Sequence, residues 1–504
     1  MIKKITSILL VISMLLAFAA CGKKTEDGTT EGESYVLPTK IIEADISLPF
    51  TSSDSLVAYA VKGSLNSDLI PLMYEGLFTP TDDGRGMPVI AKNGEIDGKK
   101  VTVHLKTDVK FSNGTVVTAK DVKKSFEKAK DSSYYKHSLK NISSVSIKGN
   151  TVVFNLYNPD PMALNVLDFP IILISGKKTF GTGKYVLKYL DKTAYLQVNG
   201  HHRDYKKSWH KQIALYDMSG ISGPVYPFKA NEISVYKQDL SDGSYVNLSS
   251  LTVPENTNNL VYVGINSTWA GSITSLQWVR QAINIGISRA DITASSFLGQ
   301  GNTVITPFKS EYYQLNTESL AGVSGEVEKA VGILERNGYK TVNSEGVRTN
   351  GTNALKLSVL VCSENQYKVA VAEAVKKSLE DLGFGVTIVE KKTAADFVSA
   401  LKEGHFNLYI GEAQLTANCD LSEFFTEKGG LNYGISTEFF ADFEAYRNGT
   451  DSTMTFVEAF STEVPFIPLY YRKAVVSVNP NITGAQGGSY VYADVCQWEV
   501  AKTK

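Results

Sequence analysis

His201, His202 and His210 are the residues whose type and spacing most invite metal chemistry. Adjacent histidines on an extended segment point to opposite sides, which is poor ligand geometry. Arg203, Lys206, Lys207 and Lys211 surround them and repel a cation, so no metal site is expected. Gly181-Thr182-Gly183-Lys184-Tyr185 invites phosphate binding instead. A phosphate loop of that type needs Gly at position 178 and Ser or Thr at 185, where this chain has Lys178 and Tyr185. The segment therefore reads as a turn entering a strand. No His-Glu-x-x-His and no Gly-x-Ser-x-Gly occurs, which leaves two common hydrolase arrangements without support. With 52 Asp and Glu, carboxylate pairs arise everywhere and do not argue for a glycosidase. No catalytic residue and no cofactor is expected.

What remains is binding, and the elements between 355 and 411 place the groups for it. Leu355, Leu357, Val359 and Val361 alternate as a strand does. Residues 366–382 have helical spacing, with Val371, Val375, Leu379 and Leu382 on one face and Gly383 as the stop. A second strand spans 386–389. Thr393 caps the next helix, with Phe397, Ala400 and Leu401 inward and Gly404 at its end, and a third strand spans 406–410. This β-α-β-α-β order implies parallel strands. Ligands gather at the carboxyl ends of such strands. Three loops therefore face the expected site: around Ser363-Glu364, around Glu390, and 411–420. The third carries Glu412, Gln414, Asn418 and Asp420 as candidate ligand-binding residues. Glu412 suits either a cationic group or the amides of its own loop. Asp420 suits either the ligand or a helix cap ahead of 422–425.

Elsewhere, residues 111–126 read as a strand, a tight turn at Asn113-Gly114, an extended piece and a helix capped by Thr118 with Asp121. A hairpin is expected over 145–156 around Gly149-Asn150. Residues 276–289 form an amphipathic helix through Leu276, Val279, Ile283 and Ile287, and Ser324 is expected to cap a helix over 326–337.

At 504 residues the chain exceeds one ordinary core. The balance of 51 Lys and Arg against 52 Asp and Glu argues against nucleic acid as a partner. The 26 Tyr and 22 Phe suit a core, or a cleft that binds varied ligands. Lys3 and Lys4 followed by an apolar stretch over 5–20 form an export signal. The small residues before Cys21 resemble a bacterial lipobox, with cleavage and lipidation at Cys21. Residues 21–35 read as a flexible tether. Removing 1–20 leaves 49 basic against 52 acidic residues. Cys362, Cys419 and Cys496 form no disulfide framework, and at least one is unpaired.

Phe111-Ser112-Asn113-Gly114, with Thr118-Ala119, Asp121-Val122 and Ser125, resembles a signature of the solute-binding proteins of bacterial peptide importers, the oligopeptide, dipeptide and nickel-binding group. Further likenesses follow in the family's order. They are Tyr74-Glu75-Gly76-Leu77, Pro88-Val89-Ile90-Ala91, the 181–185 turn, Val279-Arg280-Gln281-Ala282, Ser288-Arg289, Gly338-Tyr339 and 463–469. The resemblance implies an α/β, two-lobed periplasmic-binding-protein-like fold of type II, in its large peptide-binding class. It implies a discontinuous lobe I (36–259 plus 472–504), a lobe II (267–464) and hinge crossings at 260–266 and 466–471. Strand alternation turns one of Tyr470 and Tyr471 to the cleft; Tyr471 is taken as that one, and Trp269 is a second candidate cleft aromatic. In the family a Trp-x-x-Asp element after the third strand often supplies an aspartate for a peptide's amino group; this chain has neither residue in that place. The implied function is a monomeric, lipid-anchored receptor on the extracytoplasmic face. It would capture a peptide or related small solute and hand it to the permease of an ABC importer. A peptide-pheromone receptor and a surface hydrolase of peptides or glycans are the alternatives.

Overall fold

The computed structural model describes residues 42, 44–316, 318 and 324–501. The export segment, the tether and Cys21 lie outside the described residues.

One seven-stranded sheet organises the centre of the protein. Val235–Gln238, Phe466–Val478, Thr252–Ile265, Leu408–Gln414, Lys356–Cys362 and Gly385–Lys391 lie side by side in that order. Gly301–Thr303 pairs with Phe466–Val478 off this path. The expected β-α-β-α-β unit supplies three of these strands, joined by the helices Gln366–Asp381 and Ala394–Glu403. Lys356–Cys362 pairs in parallel with both of its neighbours. The first crossover runs outward from it to Gly385–Lys391, and the second runs back past it to Leu408–Gln414, so right-handed connections put the helices on opposite faces. Burial agrees: Val371, Val375 and Leu379 pack with Leu357, Val359 and Val361 in one core. Phe397, Ala400 and Leu401 pack with Leu360 on the other side. Thr393 Oγ1 accepts from Asp396 N at 3.1 Å, and Gly404 ends its helix in left-handed backbone.

The second of these cores absorbs much of the phenylalanine. Phe424, Phe425, Phe439, Phe443, Phe456, Phe460 and Phe466 all lie in it, with Phe424 stacked on Phe466 at 4.6 Å. Two glycines fit tyrosines into the same layer. Tyr262 stands opposite Gly411, and Gly264 opposite Tyr409. A methyl at Gly264 would lie 1.9 Å from the Tyr409 ring, and one at Gly411 would lie 2.3 Å from Tyr262.

Thr252–Ile265 and Phe466–Val478 are the long strands, of 14 and 13 residues. They pair antiparallel with each other over most of their length. The ladder is irregular between Asn256 and Leu260, opposite 471–473, and again at Val261/Tyr262. Thr257 fills the first gap by donating its hydroxyl to the Arg472 carbonyl. The expected crossing 466–471 lies within the second strand, and 260–266 lies within the first except for Asn266.

Two further cores draw mainly on the first half of the chain. One holds the strands Ser47–Phe50, Gln212–Asp217, Thr193–Val198 and Tyr185–Leu190 in that order. It also takes in Val476, Val478, Val495 and Trp498, so segments from both ends of the chain build it. The other is the sheet of Ala91–Asp97, Lys100–Leu105, Thr151–Leu156 and Ile142–Lys148 under the helix Ala119–Asp131. Asp121 accepts from Thr118 N at 2.9 Å and from its hydroxyl at 2.6 Å, the cap expected from the sequence. The 145–156 hairpin is also present, turning at Gly149 with φ 61°.

Two local expectations are corrected. The helix expected over 276–289 is two helices, Gln277–Gly286 and Arg289–Ser295, with extended Ile287 between them. Ser288 Oγ accepts from Asp291 N at 3.3 Å and starts the second helix. The buried Arg289 guanidinium meanwhile donates to the Pro468 and Asn284 carbonyls at 2.7 and 2.9 Å. Ser324 is not the cap of Val327–Arg336; Glu326 is. Ser324 Oγ is held by Ile287 O at 3.2 Å and Arg289 N at 3.3 Å.

Candidate functional site

A cavity of about 820 Å³ opens where the early segments meet the irregular stretch of the long strands. Its volume suits a ligand the size of a short peptide. Tyr74, Tyr134, Tyr135, Phe308, Tyr312 and Tyr471 give it an aromatic lining, and Leu415, Thr416, Ala417 and Cys419 close one side.

Most charges on its wall are paired within the protein. Arg203 donates to both oxygens of Glu75, at 2.7 and 2.8 Å, and His202 lies 3.4 Å from the same carboxylate. Burial alone would raise the Glu75 carboxyl, but the His202 and Arg203 hydrogen bonds and the Arg203 charge bring it down to about 2. Lys237, behind the wall, bonds Asp68 at 2.5 Å and Glu255 at 2.9 Å. Burial still pushes Asp68 up to about 6. Asp82 receives Lys309 at 2.5 Å and Asn256 at 2.8 Å. Asp494 is 3.8 Å from Lys184. Asp168 differs: among the described residues it has no ion-pair or side-chain hydrogen-bond partner, and burial holds it at about 7. The indole N–H of Trp498, a residue of the same wall, is also unpartnered among the described residues.

Of the residues picked out from the sequence, Tyr471 lines the cavity. Its hydroxyl donates to the Pro307 carbonyl at 2.6 Å, and Lys309 Nζ sits 5.6 Å from its ring centre. Tyr470 turns to the opposite core and bonds Ser296 at 2.8 Å, as strand alternation requires. Glu412, Gln414, Asn418, Asp420 and Trp269 are not on the cavity wall. Glu412 accepts from Arg472 Nε and Asn259 Nδ2, each at 2.9 Å, and lies 3.2 Å from Lys368. Gln414 is exposed at the end of its strand. Asn418 donates to Asp160 at 2.6 Å. Asp420 accepts from Ser422 N at 2.9 Å and pairs with Lys140 at 2.9 Å. Trp269 lies 6.0 Å, ring to ring, from His405.

Of the three loops expected to face the site, only 411–420 reaches the cavity. The sheet order gives the reason. Leu408–Gln414 borders the long Thr252–Ile265 strand, whereas Lys356–Cys362 and Gly385–Lys391 lie farther out. The histidines serve the frame: His202 packs on Trp209, and His210 Nε2 is 2.6 Å from the Trp498 carbonyl. The 181–185 segment is a turn docked on the chain before it, with Gly183 N donating to Met73 O at 3.0 Å.

Asp168, Tyr134 and Tyr135 were not legible as site residues. One signal existed: Asp168 is the only charge in the apolar run 162–173, where a buried carboxylate calls for a reason.

The family profile of the bacterial extracellular solute-binding proteins, family 5 Middle, matches residues 87–427. The chain is a family 5 solute-binding protein. The nickel-binding protein NikA of Staphylococcus aureus is 23% identical to this family 5 protein over 352 residues, 65% of each chain. The alignment thus spans slightly under two thirds of that relative's length. The glutathione-binding protein GsiB of Escherichia coli is 23% identical over 496 residues, 90% of this chain and 93% of GsiB. A crystal structure described as a nickel ABC transporter from Bacillus halodurans superposes with a TM-score of 0.67 at 17% identity, covering 88% of this chain and 97% of that one. The fold of this family 5 protein is accordingly the two-lobed α/β fold of periplasmic binding proteins.

Proposed function

We propose that this family 5 protein captures a short peptide or related small solute in the 820 Å³ cavity and delivers it to the permease of an ABC importer. The carrying observation is the cavity itself, walled by aromatics and internally paired charges beside the irregular stretch of the two long strands. Aromatic walls hold varied side chains without demanding one sequence. Tyr471 acts here as a cleft aromatic. Lobe I comprises 36–259 and 472–504, lobe II comprises 267–464, and closure bends the strands near 256–260. The protein acts as a monomer without turnover, held on the outer membrane face by a lipid at Cys21.

Mass spectrometry of the solutes released on gentle unfolding tests the reading. A ladder of intact short peptides supports it. A single non-peptide solute keeps the transport role and rejects peptides. Shortened peptides after incubation with a defined substrate would indicate a hydrolase. For the anchor, Cys21→Ser should move the protein from the membrane fraction to the medium; retention on the membrane rejects lipidation.

A further inference from the structure

Asp168 sits in a rigid corner of the cavity. Leu77 N donates to Leu167 O at 2.9 Å, and Ile171 N donates to Glu75 O at 2.8 Å, so the chain is clamped on both sides of it. Gly76 permits the approach: a methyl there would lie 2.5 Å from the Asp168 backbone. Leu167 and Phe169 are buried in the adjoining core, while Asp168 lines the cavity.

Three observations bear on what this carboxylate meets. First, it is the one carboxylate on the wall without a cationic partner among the described residues. Second, six carboxylates line the cavity against three cations, and Lys237 behind the wall adds a fourth, so the wall carries a surplus of two negative charges. Third, tyrosines share the cavity wall with the carboxylate. Tyr134 and Tyr135 line the same cavity with ring centres 4.9 Å apart, and Tyr59 meets Tyr135 edge-on at 5.8 Å. Burial raises all three phenols, and the Asp168 charge raises each of them further. An unpaired carboxylate in a partly desolvated pocket is unfavourable alone and becomes favourable when a cation arrives. Tyrosine rings add to the attraction for ammonium and guanidinium groups.

We propose that Asp168, with Tyr134 and Tyr135, forms a subsite of the cavity that holds a cationic group of the ligand, an ammonium or a guanidinium. The proposal rests on reading this cavity as the solute site. It places the cationic group away from the 411–420 loop, where no unpaired carboxylate lines the wall.

The test compares the full-length protein with Asp168→Asn, by calorimetric titration and thermal shift, against three probes. These are a pool of tetrapeptides with free amino termini, the same pool N-acetylated and without Lys or Arg, and argininamide. Cooperative melting of the variant checks that it folds; Asp168→Ser serves if it does not. The wild-type protein should prefer the free-amino pool by about tenfold or more, the worth of a charge-assisted hydrogen bond. In the variant that ratio should fall close to one. An unchanged ratio overturns the subsite while leaving peptide binding in place. If neither pool binds either protein, the peptide reading fails and argininamide decides. Argininamide stabilisation of the wild type that the variant loses keeps the subsite, and equal or absent stabilisation overturns it.

Discussion

The cost of an unpaired carboxylate in the cavity should be visible as a pH-dependent stability difference. Burial holds the Asp168 carboxyl at about 7, against an ordinary value of 3.8. Because the folded value is the higher one, the folded state binds more protons than the unfolded chain between these values. The contribution of Asp168 to stability is therefore fully present below 3.8 and is lost as pH rises through 7. The gap corresponds to at most about 4 kcal/mol. The side chain keeps some solvent access, which screens part of this and leaves about 2 kcal/mol. Asp168→Asn removes the charge and keeps the shape. Differential scanning calorimetry of ligand-free protein should show Tm of the variant about 2 °C above wild type at pH 8.5, given the large unfolding entropy of a chain this size. The difference should shrink toward zero near pH 4. Tyr59, Tyr134 and Tyr135 stay neutral throughout, because burial holds their phenols above the ordinary 10. A variant that melts lower than wild type at pH 8.5, or one shifted equally at both pH values, would refute the reasoning.

Glu75 should behave in the opposite sense. Its folded value of about 2 lies below the ordinary 4.5, so its contribution is present above 4.5 and is lost on acidification through 2. Glu75→Gln should cost about 3 kcal/mol at pH 7, with the deficit closing in acid melts. Gly264→Ala would press a methyl into the Tyr409 ring and should destabilise by about 1–3 kcal/mol in denaturant titration. Arg472→Met leaves Glu412 with Lys368 and Asn259 but exposes Asp239 to loss of its partner, and should cost about 3 kcal/mol by the same titration. Thr118→Ala removes the helix cap and should cost about 1 kcal/mol.

Elements with strong periodicity and clean punctuation were legible. The 355–411 unit shows this best: alternation, helical spacing and glycine stops agree there, and the parallel direction of its strands followed from topology alone. The split at Ile287 was not legible, because Val279, Ile283 and Ile287 keep one apolar face while Ser288 and the buried Arg289 act through contacts distant in sequence. The site was harder still. Loop position pointed to 411–420, and that loop does reach the cavity, but through Leu415, Thr416, Ala417 and Cys419. The polar residues that looked available are engaged with Arg472, Asp160 and Lys140. Those partners lie up to 280 residues away in sequence, and no local pattern announces them. A strand's two-residue period put Tyr470 and Tyr471 on opposite faces, but only the packing shows that Tyr471 is the one on the cavity side.

The two long strands lie side by side and pair over most of their length, so neither moves without the other. A hydrogen-bonded ribbon bends readily out of its plane and resists sliding or shearing within it. The ladder is weakest at 256–260, where Thr257 stands in for a missing rung. Under the proposed lobe closure, bending concentrates there and takes both strands together. In the proposed receptor, opening and closing follow one path whatever solute the cavity holds, and the permease meets one closed outline for every cargo.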